Sequence, residues 1–522
     1  MPSFQAFIPF LAPLVMLAAA VFAGRHPGDP RRAQRFAEAS GVAAVVVALA
    51  TLLELVLGGR QTSPLIGVAG LGLSARIDAL SVSMLLLVSA VGLVVLRFSS
   101  NYLAGDPGQA RFAGGLALTL GAVMALVIAG NLVQLLLAFV ATSLALHRLL
   151  VFYPERPKAV MAARKKFVVA RLADLALAAS LAIIWLRFGT GDIAAIAEAA
   201  KAAPAGATDT ALILAAPLLA LAALLKSAQF PSHGWLPEIV ETPTPVSALL
   251  HAGIINAGGF LVLRFADVMM LTPPALHVLA LVGGFTALFA SAVMLTQPAV
   301  KVQLAWSTIA QMGFMLFQCG IGAFAIALLH IIAHSLYKAH AFLSSGTAVE
   351  AVRAASRSEA GAQAPSWRFA LAGATVVVLA VLAWMLLPAA TDPASLTLAG
   401  IFGLGLALLA LPAAEGRGMT GSLVVALGTV LAASLAYALL HAAANHLFAA
   451  ELPVASLQGT VAEAILVLAF ASFALLAFLQ LTAHRWIATP LGRAVRIHLA
   501  NGLYLDALAD RFMARPQTSS QS

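Results

Sequence analysis

The stretch KSAQFPSHGWLPEIVETPTPVSALLHAGIINAGG, from Lys226 to Gly259, follows an apolar run, begins with a lysine and holds Pro231, Pro237, Pro243 and Pro245 before the next apolar run. Proline lacks an amide hydrogen and its ring clashes with the preceding turn, so no continuous helix passes through these residues. Broken backbone at membrane depth is tolerated only where it is buried in protein or lines a cavity, and transporters place ion sites at such breaks. The segment therefore predicts a helix broken near 226–244, with Lys226 at its edge as a group that takes up and releases a proton. The competing account is a lysine snorkelling from a helix end to the interface.

Outward from this segment the chain reads as membrane. Its 522 residues are 61% hydrophobic and 10% charged, against roughly 25% charged in an average soluble domain, and its mean hydropathy is +0.97. Crossing a hydrocarbon core takes roughly 20 helical residues. Runs of that kind fall near 4–23, 41–58, 77–97, 112–130, 131–150, 166–187 and 211–226, then near 245–264, 274–296, 300–318, 321–343, 368–387, 395–412, 420–441 and 459–482. The expected fold class is an all-α polytopic membrane protein of about 13–15 transmembrane helices. No loop between Phe7 and Thr482 is long enough for a soluble domain.

A net charge of +9 would suggest nucleic acid in a soluble chain. In a membrane chain the positive-inside rule accounts for it, and no nucleic-acid partner is expected. With the N-terminus outside, the inner loops and tail hold 22 Lys and Arg, among them the run Arg148, Arg156, Lys158, Arg164, Lys165 and Lys166, while the outer loops hold 5, namely Arg60, Arg76, Arg187, Lys201 and Arg264. An N-out, C-in orientation is predicted. Cys319 is the lone cysteine, which excludes an intramolecular disulfide and a cysteine-ligated zinc or iron–sulfur site on this chain. The first apolar run has no basic residues before it and is expected to be a retained helix. Beyond Arg485 the hydropathy ends, and Leu491–Leu508 reads as a basic amphipathic helix that lies on the membrane, docks on a partner or covers the bundle edge.

Three basic residues, Arg171, Lys226 and Lys338, remain within spans, together with Asp174, His251, His330 and His334. A charge at the bilayer centre costs at least about 2.5–3.5 kcal/mol, so such residues normally face a polar interior and take part in transport. His330, His334 and Lys338 recur every four residues and share one helix face. A histidine pair at that spacing can hold zinc, but no HExxH glutamate lies between them and no third ligand is evident, so no metal site is assigned. Proton relay is the simpler reading, and His251 joins it through its closeness to the broken helix. Arg171 and Asp174, at i and i+3, can pair along their helix, as a structural pair or as part of the path.

The segment from Lys226 to Gly253 and VKVQLAWSTIAQMGFMLFQCGIGAFAIALLHIIAHSLYKAHAFLSSG, Val300 to Gly346, closely resemble the antiporter-like subunits of respiratory complex I and Mrp cation antiporters. The resemblance covers roughly residues 70–346. It implies two inverted five-helix repeats and a proton path over Lys226, His251, His330, His334 and Lys338, with Glu238 and Glu241 at acidic positions beside the broken helix. It divides the chain into N-terminal helices 1–111, an antiporter-like core 112–412, C-terminal helices 413–484 and the surface helix and tail 485–522. Two departures stand out. NLVQLLLAFVATSLALHRLLVFY, Asn131 to Tyr153, has Phe139–Val140 where complex I subunits carry a glutamate after an aromatic, with His147 a candidate substitute. After Arg368 there is no intramembrane lysine.

Those losses, together with residues 141–180, LLHAGIINAGGFLVLRFA and IHLANGLYLDALADRF, resemble the DabB subunits of inorganic-carbon accumulation complexes over nearly the whole chain. That resemblance implies an inner-membrane subunit conducting H⁺ or Na⁺. It also implies a soluble, DabA-like, carbonic-anhydrase-like zinc partner docked on the basic inner face and tail, with zinc on the partner and no cofactor or catalytic chemistry on this chain. A redox-complex or Mrp-type antiporter subunit is the alternative. A third reading is an assembly scaffold whose buried charges are structural.

Overall fold

The computed structural model describes residues 4–203, 209–346, 392–413, 419–453 and 458–513. The span expected near 368–387 and the end of the tail lie outside the described residues. A 3-10 turn, Phe4–Phe10, leads into α1 (Leu11–Arg25) and α2 (Pro30–Gly58). Two small antiparallel ribbons follow, β1 (Gln61–Thr62) with β4 (Arg76–Ile77) and β2 (Ile66–Val68) with β3 (Leu71–Leu73). Next come α3 (Ala79–Tyr102), α4 (Gln109–Val127), α5 (Leu132–Leu150), α6 (Pro157–Phe188), α7 (Ile193–Lys201) and α8 (Thr210–Lys226). The broken region holds α9 (Trp235–Glu238), α10 (Thr244–Ala252), α11 (Ala257–Arg264) and α12 (Ala266–Met270). The remaining helices are α13 (Pro273–Met294), α14 (Val300–Gly320), α15 (Phe324–Leu343), α16 (Pro393–Ala413), α17 (Met419–Phe448), α18 (Thr460–Leu481), α19 (Ala483–Trp486), α20 (Pro490–Ala500) and α21 (Leu505–Met513).

Among the described residues, 11 helices are long and apolar enough to cross a membrane, and Thr210–Lys226 is a shorter apolar helix of the same kind. The polytopic all-α class is therefore as expected. Several helix starts are set locally by side chains that take up orphan amides. Asp29 accepts from Arg32 N, Asp78 from Ser81 N, Asn131 from Val133 N and Asp209 from Ala211 N. Helix pairs close on small residues, as lipid-solvated bundles do. A Cβ at Gly283 of α13 would lie 2.6 Å from the Gly313 carbonyl of α14, so only glycine admits that approach.

Two features depart from the sequence expectation, and a third matches one of its alternatives for the tail. The span expected at 245–264 is not continuous: α10 ends at Ala252, a 3-10 turn covers Ile254–Asn256, and α11 begins at Ala257. Arg264, assigned to an outer loop, is buried; its Nη1 lies 2.6 Å from Asp78, which also holds Arg76 at 2.5 Å. The C-terminal helices fold back on the bundle, since Gln297 Nε2 donates to Ala500 O at 3.2 Å and Lys165 pairs with Asp510 at 2.6 Å. The tail thus covers the bundle edge beside the broken helix, while Leu491 and Ile497 stay exposed.

Candidate functional site: a buried polar chain at the helix breaks

Lys226 occupies the last turn of α8 and is buried. Its Nζ donates to Phe139 O at 3.2 Å and sits 3.7 Å from the Phe139 ring centroid. The position beside the missing fifth-helix glutamate therefore supplies a carbonyl and an aromatic face instead of a carboxylate. Lys166 reaches the same region from α6, donating to Ser143 O at 2.9 Å and Ser143 Oγ at 3.0 Å. Arg171 pairs with Asp174 at 2.6 Å, and the Asp174 carboxylate is the anion that acts on both Lys226 and Lys166. Lys226 and Lys166 thus sit in the field of one carboxylate that is itself paired with Arg171. A cavity of about 20 Å³ lies between Lys166, Lys226, Leu250 and Ile254, room for about one water.

The second cluster joins α10, α14 and α15. His251 Nδ1 shares a hydrogen bond with Thr308 Oγ1 at 3.0 Å, and Thr308 Oγ1 lies 3.0 Å from Leu304 O. Lys338 Nζ donates to Leu304 O at 3.1 Å and also to Ser307 Oγ. His334 Nε2 donates to His251 O at 3.0 Å, while its Nδ1 faces Gln311 Oε1 at 2.5 Å. His330, a turn away, donates from Nδ1 to Gln318 Oε1 at 3.0 Å. Both ring nitrogens of His334 thus face oxygen acceptors. A doubly protonated ring satisfies both, whereas a neutral ring needs the Gln311 amide turned to offer its NH₂. His251 Nε2 is buried without a hydrogen-bond partner and the ring stacks on Phe342 at 4.3 Å. A cavity of about 330 Å³ reaches His330 and Gln311 between α13, α14, α16 and α18.

The break after Ala252 is what exposes the His251 carbonyl to His334. Neighbouring side chains take up the carbonyls it frees: Asn256 Nδ2 donates to Ala252 O at 3.1 Å and Ser227 Oγ to Ile255 O at 3.2 Å. Asn256 also donates to Ser335 Oγ at 2.8 Å, tying the break to α15. The histidines face separate partners, His251 the Thr308 hydroxyl, His330 the Gln318 amide, and His334 the Gln311 amide and the His251 carbonyl.

The residues singled out from the sequence fall into three places. Lys226, Arg171 and Asp174 meet at the first cluster, and His251, His330, His334 and Lys338 at the second. Glu238 lies apart, paired with Lys165 at 2.7 Å under the tail helix. The Glu241 side chain is exposed, and only its backbone oxygen takes part, accepting from Arg156 Nη1 at 2.7 Å. His147 lies tilted against Phe167, with ring centroids 5.1 Å apart, beside Lys166. Lys166, assigned to an inner loop, is a buried member of the site, and Gln311, Gln318 and Thr308 were not foreseen. Polar residues at 307, 308, 311 and 318 in the otherwise apolar stretch 304–320 of α14 were the available signal.

Comparison with known proteins follows the same line. The profile for NADH:quinone oxidoreductase/Mrp antiporter transmembrane regions matches residues 129–391, and that for the complex I chain 5 N-terminus matches 66–113. Over 513 residues, 96% of this chain and 92% of the relative, the sequence is 38% identical to the probable inorganic carbon transporter subunit DabB2 of Halothiobacillus neapolitanus. The chain belongs to the DabB family. A second relative, the probable inorganic carbon transporter subunit DabB of Hydrogenovibrio crunogenus, is 43% identical over 340 residues, 65% of either chain. In fold, this DabB-family chain is similar to a chain of the Mrp complex from Dietzia sp. DQ12-45-1b, with a TM-score of 0.62 at 23% identity over 98% of this chain and 61% of that one. DabB relatives are subunits of larger membrane assemblies, and this chain is a polytopic, cation-translocating membrane subunit with protein partners.

Proposed function

We propose that the chain conducts protons through the Lys226–Lys166–Asp174 cluster and the His251–Lys338–His334–His330 cluster, and that this flow drives CO2 hydration to bicarbonate by a soluble, DabA-like zinc partner. The observation that carries the reading is the pairing of the buried groups. Lys226 and Lys338 bond backbone carbonyls and hydroxyls rather than carboxylates, and His251 Nε2 has no partner. A structural charge inside a membrane is normally neutralised by an opposite one; groups bonded to neutral oxygens are suited to exchanging a proton. Lysine and imidazole along the route favour H⁺ over Na⁺, because a sodium ion needs oxygen ligands. Full-length similarity to inorganic carbon transporter subunits supports the carbon-accumulating assembly over a redox complex. In this reading the chain lies in the cytoplasmic membrane, N-terminus out and C-terminus in, and the partner docks on the basic face.

The test has two arms. The tagged protein is extracted in mild detergent and its companions identified by mass spectrometry, with a large soluble zinc protein expected; redox or Mrp subunits would overturn the carbon-accumulation assignment. Reconstituted protein carrying Lys226→Met or Lys338→Met is expected to lose proton flux and to fail to support growth at ambient CO2, while Lys201→Ala keeps both. Full flux in both Met variants would establish a scaffold instead.

A further inference from the structure

A groove of about 590 Å³ runs between α1, α4 and α5, away from the buried polar chain. Its floor is built of small residues, Ala20, Ala23, Gly24, Gly114 and Gly115, and Arg111 and Arg148 line its rim. The volume falls within the roughly 300–1,000 Å³ of sites that enclose small ligands. Gly114 and Gly115 let α4 close tightly on α1 and α5 at the base of the groove. A Cβ at Gly114 would meet Ala23 Cβ at 3.0 Å, and one at Gly115 would meet Leu149 Cδ2 at 2.8 Å.

Position along the helices sorts the two kinds of lining. Arg111 is in the first turn of α4, Arg148 in the last turn of α5 and Gly24 in the last turn of α1, so three helix ends meet at one membrane surface. At 1.5 Å per residue, Leu118 lies about 10 Å deeper than Arg111. The cationic groups are therefore at headgroup level and the apolar trench at acyl level. Both arginines are exposed and neither pairs with a carboxylate among the described residues. Arg111 is held in place by donating from Nη2 to Phe152 O at 3.2 Å and by lying 4.7 Å over the Phe152 ring, which leaves the rest of its guanidinium donors for an anion.

We propose that this groove binds an anionic phospholipid, with its phosphate between Arg111 and Arg148 and an acyl chain along Ala20, Gly114 and Leu118. A free phosphate accounts for the arginines but not for the trench. A zwitterionic lipid fits the trench but gains less from two unpaired cations. At about 1 kcal/mol per basic residue near an anionic headgroup, each arginine contributes roughly fivefold in affinity and the pair roughly 30-fold.

The experiment is native mass spectrometry of the full chain titrated with phosphatidylglycerol and, separately, phosphatidylcholine of the same acyl chains, with inorganic phosphate as competitor. The expected result is preferential retention of phosphatidylglycerol, loss of roughly 30-fold in Arg111→Gln/Arg148→Gln, retention in Arg148→Lys, and loss of both lipids in Gly114→Leu. Equal binding of the two lipids, or an unchanged double-Gln variant, would overturn the proposal. Displacement by inorganic phosphate with Gly114→Leu unaffected would make it a free-anion site and overturn it equally, as would a partner subunit's helix filling the groove in the purified assembly. Should Gly114→Leu fail to fold, the contrast of Arg148→Gln with Arg148→Lys decides the headgroup half, and equal retention of phosphatidylglycerol in both refutes it.

Discussion

Replacing Gln311 with leucine tests the second cluster where its geometry is most demanding. Gln311 Oε1 lies 2.5 Å from His334 Nδ1 while Nε2 of the same ring donates to His251 O at 3.0 Å, so the protonated ring is held by two acceptors and the neutral ring by one acceptor and a turned amide. Leucine leaves the second nitrogen without a partner in either state. A hydrogen bond to a charged group is worth about 1.5–3 kcal/mol, and since the loss falls mainly on the charged intermediate, it appears as a rise in the barrier to proton passage. At about 1.4 kcal/mol per decade, flux is expected to fall roughly 10- to 150-fold. Gln311→Asn, shorter by one methylene, keeps the polarity but not the reach, and is expected to fall in the same direction. The assay is proton uptake into proteoliposomes under an imposed potential, reported by an internal pH-sensitive dye, with monodispersity by size exclusion as the folding control. Flux of well-folded Gln311→Leu within about twofold of the unmodified protein would refute the reasoning, because it would mean that His334 does not carry the proton.

Asp174→Asn, which removes the one carboxylate acting on Lys166 and Lys226 among the described residues, is expected to reduce flux in the same assay at least tenfold; flux unchanged would show that no anion is needed beside Lys226. Burial alone would push the Asp78 carboxyl up, but Arg264 and Arg76 outweigh it and hold the group well below the usual carboxylate range. A depressed carboxylate contributes stability above the unfolded value near 3.9 that is lost as pH falls through the folded one. Asp78→Asn, which strands buried Arg264, is therefore expected to cost about 3–5 kcal/mol at neutral pH and much less in strong acid, read as thermal midpoint in detergent across pH; a midpoint equal to the unmodified protein at pH 7 refutes the clamp. Asp510→Asn weakens the half-exposed pair that holds the tail on Lys165, and at about 1 kcal/mol it is expected to raise hydrogen exchange over residues 505–513 by roughly fivefold. Burial pushes the Asp506 carboxyl up, so the docked tail binds protons more tightly than the free one, and docking is expected to weaken as pH rises through that group's docked value.

Composition and proline placement determined by themselves that this chain is a helical membrane protein with a break after Lys226, because hydrocarbon thickness and the missing proline amide act locally and leave few alternatives. The four-residue spacing of His330, His334 and Lys338 likewise placed them on one face. The second break, after Ala252, carries no proline: it exists because Ser227, Asn256 and His334, up to 83 residues away in sequence, supply donors to the carbonyls it frees. Lys166 read as part of a basic loop run, and only the packing of α6 on α5 takes it out of water and onto Ser143. The arginine-rimmed groove is also invisible in one dimension, since it needs three helix ends brought together at one level. Local physics thus decided where the chain crosses and where it breaks. Tertiary structure decided which polar groups meet, because each buried hydrogen bond requires a partner that only the folded bundle brings within about 3 Å.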